Sequence, residues 1–295
     1  MLLRHQLILI MALVLISMLV IGAAAANRTR STSYYEVMEN QVFPKPETFQ
    51  DAVEQDQHLR SGEYQAAIEN ILESAAVTPE PAPAGGVRVI DPSKPMVALT
   101  FDDGPGKDTA KLLDILDQYG SRATFFVVGN RVKNFADGLA QITQRGSEVG
   151  THTWSHEDLS KLSQGNIQSQ LQKSIDAIEN ITGQPVTLMR PPYGAINGNV
   201  KTICNQTNLP IIQWSLDTRD WETRSASKTY DSIMNSVKNG SIILCHEIVP
   251  STITAMERVV PELINRGYQL VTVTELFTYG GQALEPGKVY ERGPQ

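Results

Sequence analysis

Three of the five histidines in the 295-residue chain fall in two short polar clusters: His152 and His156 in HTWSH (152–156), and His246 in LCHE (244–247). Two imidazoles four residues apart can share one face of a helical turn and reach a single ion. One carboxylate added to them gives two nitrogens and one oxygen. Three protein ligands leave a position open for water, the pattern of a catalytic rather than a structural zinc site. Asp102 and Asp103, in TFDDG (100–104), are candidates to supply that oxygen. On a regular strand the two carboxylates would point to opposite faces, but Gly104-Pro105 is expected to break the strand and let both turn toward one site. An Asp-Asp-Gly turn is also an ordinary capping device, and a histidine pair can be a plain surface feature, so neither motif decides alone.

Three further clusters add chemistry. In RPPYG (190–194), Arg190 could form a bidentate pair with a carboxylate and fix its direction. The two prolines stiffen that loop and lack donors, while Tyr193 and Gly194 keep their N–H groups; read alone, the segment is a rigid turn. DTRDW (217–221) supplies Asp217 and Asp220. A carboxylate paired with His246 is what would hold an imidazole protonated as a general acid. Trp221 and Leu244 could form an apolar slot for a group as small as a methyl, although core packing accounts for a lone tryptophan equally well. Cys204 and Cys245 are the only cysteines, which excludes a disulfide scaffold and a Cys-rich zinc module.

The elements that must position these residues alternate along the chain. Apolar or β-rich runs occur at 96–101, 123–128, 147–151, 186–190, 210–215, 241–245 and 268–273. Between them lie helical stripes: Leu112, Ile115, Leu116 and Tyr119 in one, Ile167, Leu171, Ile175 and Ile178 in another. Strands alternating with helices imply a parallel sheet covered on both faces, a barrel-like or doubly wound α/β domain. All five polar clusters fall at the carboxyl ends of the expected strands, where α/β barrels place their active sites. Core or turn residues would scatter over both ends, so placement favours a functional site.

The domain is expected to begin near Val87 and run to about residue 280, with 281–295 as a C-terminal tail. Before it, residues 27–86 read as a polar spacer closed by a Pro-, Ala- and Gly-rich linker at 75–86. Residues 7–26 form an unbroken uncharged apolar run. As a helix it would span about 30 Å, enough to cross a bilayer core, so residues 1–26 read as a membrane anchor or a signal peptide; the small residues Ala23–Ala26 offer cleavage positions. Either reading places the bulk of the chain outside the cytoplasm. With 41% hydrophobic and 19% charged residues the chain can bury a sizeable core. A net charge of -7 and a pI near 5.3 argue against nucleic acid as the main partner, and nothing in the sequence points to a protein partner.

Together, TFDDG, HTWSH, RPPYG, DTRDW and LCHE resemble the five motifs of the polysaccharide deacetylases, carbohydrate esterase family 4, defined by the NodB-homology domain. The resemblance covers about residues 87–280 and does not extend to the spacer. It implies a distorted (β/α)7-type barrel. By position in the motifs, it implies that Asp103, His152 and His156 bind a divalent metal, usually Zn2+, with Co2+ or another ion able to serve. Asp102 would be the general base toward the attacking water and Arg190 its tether. His246 would be the general acid, tuned by Asp220; the Tyr193 N–H would stabilise the oxyanion, and Trp221 and Leu244 would line the acetyl-methyl pocket. Many relatives carry Asp directly after the acid histidine, where this chain has Glu247, which bears on the geometry behind the site. The implied reaction is removal of N-acetyl groups from an N-acetylglucosamine-containing polymer, with cell-wall peptidoglycan the candidate that suits an extracytoplasmic, membrane-proximal chain. The alternatives are an O-acetyl esterase on an acetylated polysaccharide and an inactive wall-binding module; the completeness of all five motifs weighs against the second.

Overall fold

Strand β1 (Met96–Gly104) is the organising element, and its alternating side chains meet two different environments. Val97, Leu99 and Phe101 pack outward into a cluster with Leu112, Leu116, Leu139, Ile142, Met256, Val260 and Leu263. Met96 and Ala98 face the other way, toward Phe126, Leu188, Ile212, Ile242 and Val271. Burial on both faces of one strand means that the sheet is covered on both sides, as parallel sheets are. The computed structural model describes residues 88–294 and shows such a sheet.

In chain order, β1 is followed by α1 (Thr109–Gln118), β2 (Thr124–Val127), α2 (Ala136–Gln144), β3 (Glu148–Thr151) and α3 (Gln164–Thr182). Next come α4 (Gly198–Gln206), β4 (Ile211–Ile212), β5 (Leu216–Asp217), α5 (Asp220–Thr223), α6 (Ala226–Ser236) and β6 (Ile242–His246). The fold closes with α7 (Pro250–Asn265), β7 (Gln269–Leu270), α8 (Val273–Tyr279) and β8 (Val289–Tyr290). The sheet order is β3-β2-β1-β6-β5, with β7 also on β1 and a separate β4-β8 pair. Every ladder is parallel. Isolated parallel bridges from Thr151 to Met189 and from Met189 to Ile211 join β3 to β4. Of the two folds the alternation allowed, the result is the distorted (β/α)7-type barrel that the family resemblance implied, with α1 and α3 on the predicted stripes: Leu112, Ile115 and Leu116 are buried on α1, and Ile167, Leu171 and Ile178 on α3. Helix α3 starts at Ser163, whose side chain accepts from Asn166 N–H, and stops at Gly183, which takes φ 65°; these are the polar N-cap and left-handed C-cap that end a helix cleanly.

The structure revises three expected boundaries. The 186–190 run is reduced to bridges at Met189, because Pro185, Pro191 and Pro192 flank it and cannot donate to a ladder. The 210–215 run is reduced to β4 near its start, and a separate strand, β5, begins just beyond it. Residues 281–294, read from sequence as a tail beyond the domain, carry β8, which pairs with β4, and Tyr290 stacks edge-on against Phe277 with centroids 5.0 Å apart. A two-residue strand in a Gly- and Pro-rich segment leaves too little periodicity to read. The apolar run at 7–26 and the spacer lie outside the described residues. Among the described residues no helix is long and apolar enough to cross a membrane.

One glycine couples the frame to the site. A Cβ on Gly150, in β3, would stand 2.6 Å from Phe126 Cε1, and the face of the Phe126 ring carries the Arg190 guanidinium at 4.2 Å. Gly150→Ala is therefore expected to cost about 1–3 kcal/mol of stability by overpacking. Urea denaturation followed by circular dichroism reads this directly; an unchanged midpoint would mean that the ring moves aside freely.

Candidate active site

Asp102 ends the inward-facing row of β1, and Asp103 follows at φ 69°. The β1–β2 register slips between Asp102 and Gly104, so Asp103 occupies a bulge. Sequence reasoning expected Gly104-Pro105 to break the strand and free both carboxylates. Instead the strand runs through Gly104, and the bulge at Asp103 brings both side chains to one rim. The register also sets Asp102 opposite His246 on β6.

His152 and His156 lie beyond the end of β3 in an irregular loop, not on the helical turn expected from their spacing. Thr153 and His156 take φ 67° and 59°, which no right-handed helix allows. The loop is fixed by long-range bonds: Gln170 Oε1 accepts from the N–H groups of Trp154 and Ser155, each at 3.0 Å, and Gly129 N–H donates to Thr153 O at 2.9 Å. The conformation turns both imidazoles onto Asp103. Asp103 Oδ1 lies 3.2 Å from His156 Nε2 and 3.6 Å from His152 Nε2, and one ligand atom from each of the three residues falls within 4.8 Å of the others. Left-handed backbone at non-glycine residues costs ~1–3 kcal/mol each; Asp103, Thr153, His156 and also Tyr193 (φ 60°) all bear it, which concentrates strain around this point.

The donor set fits a cation. His152 Nδ1 donates to Arg190 O at 2.7 Å, which leaves a lone pair on Nε2. Burial holds the His152 imidazole below its ordinary pKa, against the raising pull of Asp102 and Asp103, so it is neutral, as a ligand must be. Asp103 Oδ1 is buried with no hydrogen-bond partner. Burial would raise the Asp103 carboxyl, but the neighbouring His156 and His152, and then His246, outweigh it and bring the pKa down to about 2. A buried carboxylate oxygen with two imidazole nitrogens beside it is the two-nitrogen, one-oxygen set that a divalent ion takes.

Arg190 is fully buried and reaches into the same rim. Its Nη1 donates to Asp102 Oδ1 and to Thr100 Oγ1, both at 2.7 Å; Nε donates to Ile212 O at 3.2 Å and Nη2 to Gln213 O at 2.9 Å. The bidentate pair expected from sequence is thus a single bond, with the rest of the fork spent on fixing the guanidinium itself. Asp102 Oδ2 remains free and faces His152 Nε2 at 3.7 Å.

On the other side of β1, Asp220 is fully buried at the start of α5. Its Oδ1 accepts from His246 Nδ1 at 2.8 Å, and its Oδ2 from the His246 backbone N–H at 2.7 Å and from Thr252 Oγ1 at 2.6 Å. Burial alone would lower the His246 pKa. The hydrogen bond and charge of Asp220, joined by Asp102 and Asp103, outweigh burial and hold it above the ordinary imidazole value. Trp221 is half-exposed and Leu244 buried. Tyr193 is exposed, and its hydroxyl lies 3.2 Å from His156 Nδ1. Cys204 and Cys245 are free, buried in separate clusters.

Of the residues named from sequence, Asp102, Asp103, His152, His156, Arg190 and Tyr193 are linked by these contacts, and Asp220 and His246 pair on the other side of β1; Trp221 follows Asp220 at the start of α5 and Leu244 lies two residues before His246 on β6. Sequence reasoning missed Thr100 and Thr252, whose hydroxyls complete the Arg190 and Asp220 networks, and the Gln170 clamp. Each acts across a long sequence separation. Only Thr100 carried a signal, as the inward-facing residue two before Asp102.

Comparison with known proteins bears on what such a site belongs to. A family model described as polysaccharide deacetylase matches residues 90–212. The peptidoglycan-N-acetylmuramic acid deacetylase PdaC of Bacillus subtilis is 39% identical over 188 residues, 63% of this chain and 40% of that one. The peptidoglycan-N-acetylglucosamine deacetylase of Bacillus cereus is 34% identical over 190 residues, 63% of this chain and 69% of that one. This chain thus spans about two-fifths of the length of the first of these relatives. Among solved structures, a T48 deacetylase with substrate is matched at TM-score 0.66 and 38% identity, over 69% of this chain and all (100%) of that one. A family 4 acetyl xylan esterase from Clostridium thermocellum in complex with a cobalt ion is matched at TM-score 0.64 and 33% identity, over 68% of this chain and 100% of that one.

Proposed function

Because the chain belongs to the polysaccharide deacetylase family, we propose that it is a metal-dependent hydrolase that removes N-acetyl groups from an N-acetylglucosamine-containing cell-wall polysaccharide, most simply peptidoglycan. The observation that carries this reading is the convergence of Asp103, His152 and His156 beside a free carboxylate oxygen of Asp102 and, across β1, a carboxylate-bound imidazole. Asp103, His152 and His156 would hold the ion, with Zn2+ as the proposed metal. When bound, a divalent ion supplies Lewis acidity toward an acyl oxygen and toward water.

The protein's own groups then divide the work. Asp102 Oδ1 is occupied by Arg190, so Oδ2 is the atom that takes a proton from the attacking water. The Tyr193 N–H donates to the oxyanion that develops on the acetyl carbonyl, a contact of the kind that supplies much of the barrier lowering in acyl transfer. Asp220 accepts from His246 Nδ1 and raises its pKa, favouring the protonated imidazole, so Nε2–H is the donor to the departing nitrogen. The carbon–nitrogen bond breaks as acetate and a free amine form. An amide nitrogen is a poor leaving group unless protonated, which is the reason for a separate acid. Trp221 and Leu244 accept the acetyl methyl, and Arg190 serves Asp102 rather than substrate.

The names of the relatives divide between N-acetylmuramic acid and N-acetylglucosamine as the deacetylated sugar, and the similarity to an acetyl xylan esterase supports O-deacetylation as a second reading. We place the catalytic unit outside the cytoplasm, with residues 1–26 serving either as a membrane anchor or as a signal peptide that releases it. Incubating the purified chain plus zinc with peptidoglycan, chitin oligosaccharides and acetylated xylan, and measuring acetate together with free amine, tests the proposal. Acetate accompanied by amine from peptidoglycan is expected; acetate from xylan alone, without amine, would favour the esterase.

A further inference from the structure

Glu247 follows the acid histidine, is 1% exposed, and is used by none of the steps above. Its carboxyl fills the space that a side chain at position 104 would take: a Cβ on Gly104 would stand 1.5 Å from Glu247 Oε1. Glu247 Oε2 is hydrogen-bonded to Thr109 Oγ1 at the start of α1. The same hydroxyl accepts from Gly106 N–H at 2.9 Å and lies 3.0 Å from Gly106 O. One carboxyl therefore touches both ends of the segment 104–106, directly at Gly104 and through Thr109 at Gly106. That segment is the stretch immediately after the bulged Asp103.

Counting protons specifies the state of this bridge. A hydroxyl has one proton to give and two lone pairs. With Gly106 N–H on one lone pair, the Thr109 proton can go to Gly106 O or to an ionised Glu247, but not to both. A neutral Glu247 resolves the conflict: its own O–H donates to the second lone pair of Thr109, whose proton then goes to Gly106 O. Burial acts in the same direction and pushes the Glu247 carboxyl up to about 7, outweighing the charge of Arg131 and a bond donated by Thr109, either of which would favour the ionised form.

We propose that Glu247 and Thr109 form a positioning pair that holds the 104–106 turn and thereby aims Asp103 at the cation site. The inference rests on the metal reading above. It requires that the length of the side chain at 247 and the hydroxyl at 109 matter, and that the charge at 247 does not. The test is zinc affinity of the full chain, by competition with a chromophoric chelator, for the parent and for Glu247→Gln, Glu247→Asp, Thr109→Ser and Thr109→Val, with thermal melting to establish folding. Loss of a group that orients a metal ligand typically costs about 10–100-fold in affinity, and that loss is expected for Glu247→Asp and Thr109→Val. Glu247→Gln, whose amide can donate to Thr109 as the neutral acid does, and Thr109→Ser are expected to stay within about threefold of the parent, well short of that range. Should Glu247→Asp fail to fold, the Thr109 pair decides. Parent-like affinity in both Glu247→Asp and Thr109→Val would overturn the proposal, as would an equal loss in Glu247→Gln and Glu247→Asp. A parent that binds no zinc overturns the metal reading itself and this inference with it, so the two failures are distinguishable.

Discussion

Replacing Asp102 by asparagine is expected to lower kcat for N-deacetylation by about 10²–10⁴-fold, the range that a positioned general base supplies, while zinc content stays at the parental level. The substitution leaves Asp103, His152 and His156 intact and keeps an oxygen for the Arg190 hydrogen bond. What it removes is the capacity of Oδ2 to take a proton. It also leaves the fully buried Arg190 guanidinium beside a neutral partner. Breaking a buried ion pair by deleting one charge costs up to about 3–5 kcal/mol, so a drop in unfolding free energy should accompany the kinetic loss. Measuring kcat on protein shown to be folded separates the two effects. A folded, zinc-loaded variant that retains a large fraction of parental kcat would remove Asp102 from the base role.

His246→Ala should divide two reactions that the metal and the base treat alike. Cleavage of an amide is expected to fall by about 10²–10⁴-fold, whereas cleavage of an acetate ester of a good alcohol leaving group should fall far less, because an alkoxide departs without full protonation. Equal losses on both substrates would contradict the assignment of His246 as the acid. The pH dependence supplies an independent check with a definite sign. His246 must be protonated to act, and its raised pKa means that activity is lost only as pH climbs through that raised value. Asp220→Asn removes the charge that, after burial has pulled the pKa down, does most to lift it. The alkaline limb of the kcat/KM profile is therefore expected to move to lower pH. A limb that stays in place would show that it reports some other group.

Much of this site could be read from spacing because the chemistry sits at the ends of parallel strands, and strand ends are marked locally. TFDDG, HTWSH and LCHE each close an apolar run, and Asp102 and His246 became register partners because β1 and β6 pair along their whole inner row. What spacing could not show was how the backbone turns at those ends. Asp103 faces the imidazoles through a bulge, and the two histidines meet through left-handed residues at 153 and 156 rather than through a helical turn. Both conformations are imposed by tertiary bonds, such as Gln170 on Trp154 and Ser155. Arg190 differs for a similar reason: its fork goes to Thr100, Ile212 and Gln213 as well as to Asp102, partners that exist only once the barrel has formed. The same holds for Thr252 on Asp220. Strand β8 escaped notice because two residues carry no measurable period, and its place is set by pairing with β4.

The proposed activity requires one ion bound by Asp103, His152 and His156. The measurement that tests it most directly is acetate release from peptidoglycan by the full chain before chelation, after chelation and after zinc is returned, with metal content determined at each stage. The expected result is one equivalent of bound metal in the active protein, loss of both metal and acetate release on chelation, and recovery of both with zinc in the parent but not in His152→Ala. Undiminished acetate release from metal-free protein would contradict it.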